Sequence, residues 1–227
     1  MPSVEAPIEA VLFDWCGTIV EYPTKQDRFR QVLDQLERPT DHTTITALVN
    51  AYRTAEQHPA AVEANKRCDL SAEHHAHTKR VICEIAGIDT ELGDAIERSY
   101  GDLDTYSTYP EAVEVITRLA DHGIDIAIVS DFHVDLRPHF ASLGLLDRIA
   151  GFALSYEVGA TKPDPRMFQT ALDSMSAPPE RCLMVGDNPH PDGGAAAIGI
   201  PTLILPVQRN PRPPMLERVA SLVLTDH

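Results

Sequence analysis

The chain has 227 residues, of which 43% are apolar and 23% charged. That balance suits one large folded domain, or a domain with an insert, and excludes disorder along its length. Nineteen basic residues stand against 34 acidic ones, a net charge of −15, so the surface repels nucleic acid and anionic lipid but leaves room for a small anion beside a local cation or metal. Cys16, Cys68, Cys83 and Cys182 form no CxxC pair and no disulfide framework; reduced thiols in a cytoplasm are the expectation. The opening stretch MPSVEAPIEAVLFDW has no basic leader, and no apolar run is long enough to span a bilayer, so neither a signal peptide nor a membrane partner is expected.

Taken in order, Ile8 to Phe13 ends in a short apolar run and reads as a buried strand. Residues 21–105 hold no convincing strand. Their apolar residues recur at helical spacing (Phe29, Val32, Leu33, Leu36; Ile45, Leu48, Val49, Tyr52; Val81, Ile82, Ile85; Leu92, Ile96, Tyr100, Leu103), which predicts about four amphipathic helices, with Ser71 and Thr90 as N-caps. A helix over 111–122 closes at Gly123 and feeds a strand from Ile124 to Val129. Asp164 caps a helix that Pro165 opens. Leu183 to Val185, Thr202 to Leu205 and Leu222 to Leu224 read as further strands, and Pro206 to Pro214, PVQRNPRPP, as an extended surface loop. Strands alternating with helices predict an α/β fold, a doubly wound parallel sheet, with the helical block inserted after its first strand.

Ligands of such sheets bind beyond the carboxyl ends of the strands. There the sequence places Asp14-Trp15-Cys16-Gly17-Thr18, then Ser130-Asp131, then Thr161-Lys162-Pro163-Asp164, then Gly186-Asp187-Asn188 with Asp192 four residues further on. Asp14, Asp187 and Asp192 brought together would bind a cation or raise one another's pKa. An oxygen-only donor set suits Mg²⁺, which favours phosphate partners. Lys162 adds positive charge, Ser130 a neutral donor, and an aspartate is free to attack.

Four segments, VLFDWCGT, IVSD, TKPDPRMF and MVGDNPHPDGGA, occur in that order between positions 11 and 195. In them the chain resembles the haloacid dehalogenase-like (HAD) superfamily. The resemblance implies a Rossmannoid hydrolase core over 1–20 and 106–227 and an inserted helical cap of the C1 type over 21–105, whose closure excludes water and sets substrate choice. It implies Asp14 as the nucleophile of an aspartyl intermediate, Thr18 and Lys162 supporting it, and a catalytic position at Cys16. It also implies substrate contacts from Trp15, Gly17, Ser130 and Asp131, and Mg²⁺ held by Asp14, the Cys16 carbonyl, Asp187 and Asp192. The implied activity is a Mg²⁺-dependent phosphatase acting on a small phosphorylated metabolite.

One position departs from the pattern. Phosphatases of the superfamily usually carry a second aspartate two residues after the nucleophile, as general acid and base; here that residue is Cys16. Such a group is worth ~10²–10⁴ in rate, or roughly 3–5 kcal/mol of barrier. The gap keeps other readings open: cleavage of a phosphonate (the loop resembles the D-W-A-G-T of phosphonoacetaldehyde hydrolases) or an acyl phosphate, dehalogenation of a 2-haloacid, a proton from a cap histidine or from the substrate, or a pseudoenzyme that only binds a phosphorylated ligand. A cysteine-phosphatase signature is absent, since no arginine lies six residues after any cysteine. His74, His75 and His77 share one predicted helix, with a solvated face as the plainer reading. Tyr100, Tyr106 and Tyr109 read as packing where the chain returns from the cap.

Overall fold

The computed structural model describes residues 7–206 and 213–224. Its strands are β1 (Ala10–Phe13), β2 (Val20–Glu21), β3 (Ser107–Thr108), β4 (Asp125–Ser130), β5 (Gly151–Leu154), β6 (Cys182–Gly186) and β7 (Thr202–Ile204). The chain divides into two compact units, Met1–Glu21 with Thr108–His227, and Tyr22–Ser107.

The first unit is built on a five-stranded sheet in the order β5-β4-β1-β6-β7, every pair parallel. β1 is central: Phe13 lies beside Ile128 of β4 and Val185 of β6. All four β1 residues are fully buried. Successive side chains of a strand point to opposite faces, so both faces are covered, which explains the unbroken apolar run. On one face Leu12, Val129 and Met184 pack with Met167, Phe168 and Ala171. The chain winds from β1 to β4 and β5 on one side, and β6 and β7 lie on the other. The switch point, where ligands collect in such sheets, is therefore beside β1.

The second unit contains α1 (Lys25–Gln35), α2 (His42–Glu56), α3 (Pro59–Asn65), α4 (Ala72–Ile85) and α5 (Thr90–Gly101) around an apolar cluster that includes Phe29, Val49, Tyr52, Ile82 and Ile96. The remaining helices belong to the first unit: α6 (Ala112–Asp121), α7 (Arg137–Ser142), α8 (Ser155–Val158), α9 (Pro165–Leu172) and α10 (Glu217–Val223). Asp164 caps α9 by accepting from Arg166 N, with Pro165 at the first turn. Gly123, at φ 79°, follows α6 in the left-handed conformation that a side chain would disfavour.

Several local expectations are corrected. Residues 222–223 lie in α10, not in a strand: Val219, Ala220 and Val223 are buried at helical spacing, and α10 packs on α6. A three-residue apolar window does not distinguish the two periods. β5 was not expected, because an edge strand that starts at glycine and runs for four residues carries little pattern. The second unit has five α-helices, not four; α3 buries only Ala61, so it shows no apolar stripe. The N-cap of α5 is Asp89, whose side chain accepts from Leu92 N, one residue before Thr90. Ser71 caps α4 as expected. Most of the 206–214 loop lies outside the described residues. Among the described residues no helix is long and apolar enough to cross a membrane, and all four cysteines are free and buried.

Leu12→Ala empties a fully buried site on the central strand and should cost about 2–5 kcal/mol. Leu222→Ala on α10, where the side chain is 52% exposed, should stay within about 0.5 kcal/mol. Urea unfolding midpoints at unchanged slope measure both.

Candidate active site

Asp14 directly follows β1, and its backbone N–H donates to Val185 O (2.8 Å), which carries the strand one residue further along β6. The chain then turns tightly: Trp15 O accepts from Ile19 N at 2.8 Å and Val20 N at 3.1 Å, and Gly17 N donates to Val20 O at 2.7 Å. Gly17 sits at φ 93°, which is why glycine stands there. This turn returns Thr18 to Asp14, where its hydroxyl donates to Asp14 Oδ2 at 3.0 Å.

The other carboxylate oxygen, Asp14 Oδ1, accepts from Lys162 Nζ at 2.6 Å, and the same ammonium donates to Asp192 Oδ1 at 2.7 Å. Asp192 is fully buried, and its Oδ2 accepts from Asn188 N at 3.0 Å. Ligand oxygens of Asp14, Asp187 and Asp192 all lie within 4.8 Å of one another. Glycine at 186 makes that approach feasible, since a Cβ there would stand 2.1 Å from Asp192 Oδ2.

The electrostatics follow from three carboxyls and one ammonium in a buried space. Burial, then Asp14 and Asp192, push the Asp187 carboxyl up to about 7. Burial also raises Asp14, against the pull of Lys162. For Lys162 burial favours the neutral amine, but Asp14, Asp192 and Asp131 outweigh it and hold the ammonium above its ordinary range. A group of this charge and donor type fits a divalent oxygen-seeking cation: carboxylates exceed the available positive charge, and no soft ligand enters the set.

The structure gathers Asp14, Thr18, Lys162, Asp187 and Asp192. It places Ser130, buried, at the carboxyl end of β4. Asp131 Oδ1 accepts from Lys162 N at 2.9 Å and so anchors the lysine's backbone. Trp15 has no exposed surface. Its ring packs 4.8 Å from Phe132 and 5.5 Å from His139 between centroids, the packing role that stood open beside the pocket-shaping one. Cys16 is 8% exposed within the turn.

The sequence places Gly186 and Asn188 beside Asp187 at the sheet edge but does not show that the Asn188 amide holds Asp192; Phe132 carried no signal. The three histidines of α4 do not form a metal set. His74 Nδ1 is 2.9 Å from Ser71 Oγ, His75 is buried with its Nδ1 3.4 Å from Glu97 Oε1, and His77 is exposed. Of the three tyrosines, Tyr106 and Tyr109 are buried, and Tyr106 OH donates to Tyr100 O at 3.0 Å.

Comparison with known proteins agrees with this geometry. The chain is 27% identical over 230 residues to ribulose-1,5-bisphosphate 5-phosphatase of Halopiger xanaduensis, covering 96% of this chain and 93% of that one. It is 33% identical over 119 residues to phosphoserine phosphatase of Thermus thermophilus, covering 52% and 48%, and 31% identical over 121 residues to (S)-2-haloacid dehalogenase 4A of Burkholderia cepacia, covering 53% and 51%. The chain thus spans about half the length of the last two relatives. The HAD-hydrolase YfnB from Bacillus subtilis, in a structure bound to magnesium, shares the fold at a TM-score of 0.71 and 16% identity, over 96% of this chain and 99% of that one. A family model for haloacid dehalogenase-like hydrolases matches residues 8–199. This protein therefore belongs to the haloacid dehalogenase-like hydrolases.

Proposed function

We propose that the protein is a Mg²⁺-dependent phosphatase that hydrolyses a small phosphorylated metabolite through an aspartyl-phosphate on Asp14. The observation that carries this reading is the clamp on Asp14, with Thr18 on one oxygen and Lys162 on the other, beside Asp187 and Asp192. The substrates named for three relatives, phosphoserine, phosphoglycolate and ribulose bisphosphate, support a small phosphorylated molecule. Each of those substrates carries a second anionic group besides the phosphate that is removed.

Asp14 and Asp187, with the Cys16 carbonyl, would hold Mg²⁺, and Asp192, its oxygens already occupied by Lys162 and Asn188 N, would support them directly or through water. The bound ion supplies positive charge to the phosphoryl oxygens. The chain's own residues do the rest. Thr18 and Lys162 orient the Asp14 carboxylate, one oxygen of which attacks phosphorus as the bond to the leaving oxygen breaks. Ser130 and the Cys16 amide would donate to the phosphoryl oxygens. Water then attacks the aspartyl-phosphate, releasing phosphate and restoring Asp14. Nothing at position 16 supplies a carboxylic proton to the leaving oxygen, so the reaction favours leaving groups that depart as stable anions. The helical unit, residues 22–107, is read as the cap that selects substrate.

Hydrolysis of p-nitrophenyl phosphate tests the reading first, because its leaving group needs little protonation. We expect turnover with Mg²⁺, none with chelator, and none in Asp14→Asn. Absence of Mg²⁺-dependent turnover, with halide release from a 2-haloacid instead, overturns it in favour of dehalogenation.

The Cys16→Asp variant restores an acid where superfamily phosphatases carry one. Its kcat on alkyl phosphates should rise by ~10²–10⁴, with a much smaller gain on p-nitrophenyl phosphate; equal gains on both would contradict the missing-proton account.

Asp187 also sets a pH dependence. Its carboxyl in the folded, metal-free chain sits at about 7, above the ordinary 3.8. The folded state therefore binds the proton more tightly than the unfolded one, and the metal-free protein loses stability as pH rises toward 7. Mg²⁺ needs the carboxylate and competes with that proton, so the Tm gain on adding Mg²⁺ should be larger at about pH 8 than at about pH 6. Thermal melts with and without Mg²⁺ at the two pH values check the sign.

A further inference from the structure

Lys162 bonds both Asp14 and Asp192, yet it sits in the segment between α8 and α9, outside the sheet. A lysine ammonium is a point charge on a flexible four-carbon stem, so its reach depends on where the backbone is held. In that segment Pro163 carries no N–H, and Asp164 N is turned inward to Thr161 O at 2.9 Å. The Lys162 N–H points at Asp131 Oδ1, 2.9 Å away and 31 residues earlier in the chain. Pro163 lies close against Gly194, where a Cβ would stand 2.5 Å from Pro163 Cβ and 2.9 Å from its Cα. The segment is thus held by a hydrogen bond at Lys162 and by packing at the next residue.

Asp131 is a firm post for that bond. It directly follows Ser130, the last residue of β4, a strand paired with β1 on one side and β5 on the other. The carbonyl of the next residue, Phe132, accepts from the buried Ser155 Oγ at 3.3 Å. The bond to Lys162 N therefore lends the precision of a strand end to a segment outside the sheet. An electrostatic task for Asp131 adds less: Asp14 and Asp192 touch the ammonium directly and pull on it more strongly. A substrate-facing task fits poorly, because a carboxylate next to Ser130 would oppose a phosphoryl anion held by that hydroxyl.

We propose that Asp131 is a positioning residue for the reaction at Asp14: by accepting the Lys162 N–H it fixes how far Lys162 Nζ reaches, and it acts through the place of its oxygen, not through its charge. The inference rests on the phosphatase reading above, in which Asp14 is the nucleophile, and adds a residue on which the Asp14 clamp depends.

Two conservative changes separate place from charge. Asp131→Asn keeps an acceptor oxygen at the same reach and removes the charge. Asp131→Glu keeps the charge and moves the oxygen by one methylene. With p-nitrophenyl phosphate and saturating Mg²⁺, Asp131→Asn should hold kcat close to that of the natural protein. Asp131→Glu and Asp131→Ala should lose about 10- to 100-fold in kcat, approaching the cost of a misplacement of about 1 Å. KM should barely move in any of them, because the Lys162 ammonium is engaged by Asp14 and Asp192. Should Asp131→Ala not fold, the Asn and Glu variants decide alone.

A kcat lost in Asp131→Asn as in Asp131→Ala, or kept in Asp131→Glu, shows that charge is what matters and overturns the proposal. So does a raised KM at unchanged kcat, the mark of a substrate contact, or a kcat unchanged in every variant, the mark of a purely structural bond. If the natural protein does not hydrolyse p-nitrophenyl phosphate at all, the phosphatase reading fails by itself. Crystal structures of the variants then decide the positioning. Lys162 Nζ should leave Asp14 Oδ1 in Asp131→Glu and stay on it in Asp131→Asn; the 2.6 Å bond kept in both, or lost in both, overturns it.

Discussion

The arrangement of the α/β unit turns on one ammonium. Lys162 Nζ reaches both Asp14 and Asp192 at hydrogen-bond distance while only 6% of the residue is exposed. A buried charge of that kind persists only if its partners are held firmly, because losing one leaves an uncompensated ion in low dielectric. The surrounding loops meet that requirement in turn. Asp131 fixes the lysine's backbone, Asn188 N and the bare backbone of Gly186 fix Asp192, and the Gly17 turn brings Thr18 back onto Asp14. The loops after β1, β4 and β6 and the segment before α9 are thereby tied to one point beside the central strand.

The clamp also explains why the site was legible before any coordinates. Asp14, Lys162, Asp187 and Asp192 are polar residues directly beyond apolar strands or beside a capped helix, positions where a functional group stands out against the packing pattern. Central strands such as β4 and β6 announce themselves by unbroken apolar runs. What was not legible shares a physical feature: the determining contact is remote in sequence or backbone-borne. β5 is fixed by pairing with β4, and α10 by packing on α6. Trp15 shows the limit most clearly. In the loop after Asp14 its sequence position leaves a pocket-shaping and a core role equally open, and its ring packs on Phe132 and His139, more than a hundred residues away in the chain. Asp131 likewise sits next to Ser130 but points its carboxylate at the Lys162 amide.

On the proposed reading, Cys16 would shift chemical demand onto the substrate. On the phosphatase reading the clamp and the acidic cluster would serve a bond made and broken at Asp14, while position 16 carries no carboxylic proton donor. A site of this composition discriminates by leaving-group basicity before it discriminates by shape, since the missing proton costs most when the departing oxygen is most basic. That is a selectivity mechanism in its own right, and it acts at the bond being broken.

Selectivity by charge has to arise differently. With 34 acidic residues against 19 basic ones, the protein's overall field opposes an anionic substrate. Mobile salt screens that field within about 10 Å at ordinary ionic strength, whereas charges in buried positions act locally and are screened little. Attraction must therefore come from short-range positive groups held out of bulk water. Lys162, spent on two carboxylates, has little to spare for a ligand. On the proposed reading that charge would come from a divalent ion beside Asp14, Asp187 and Asp192.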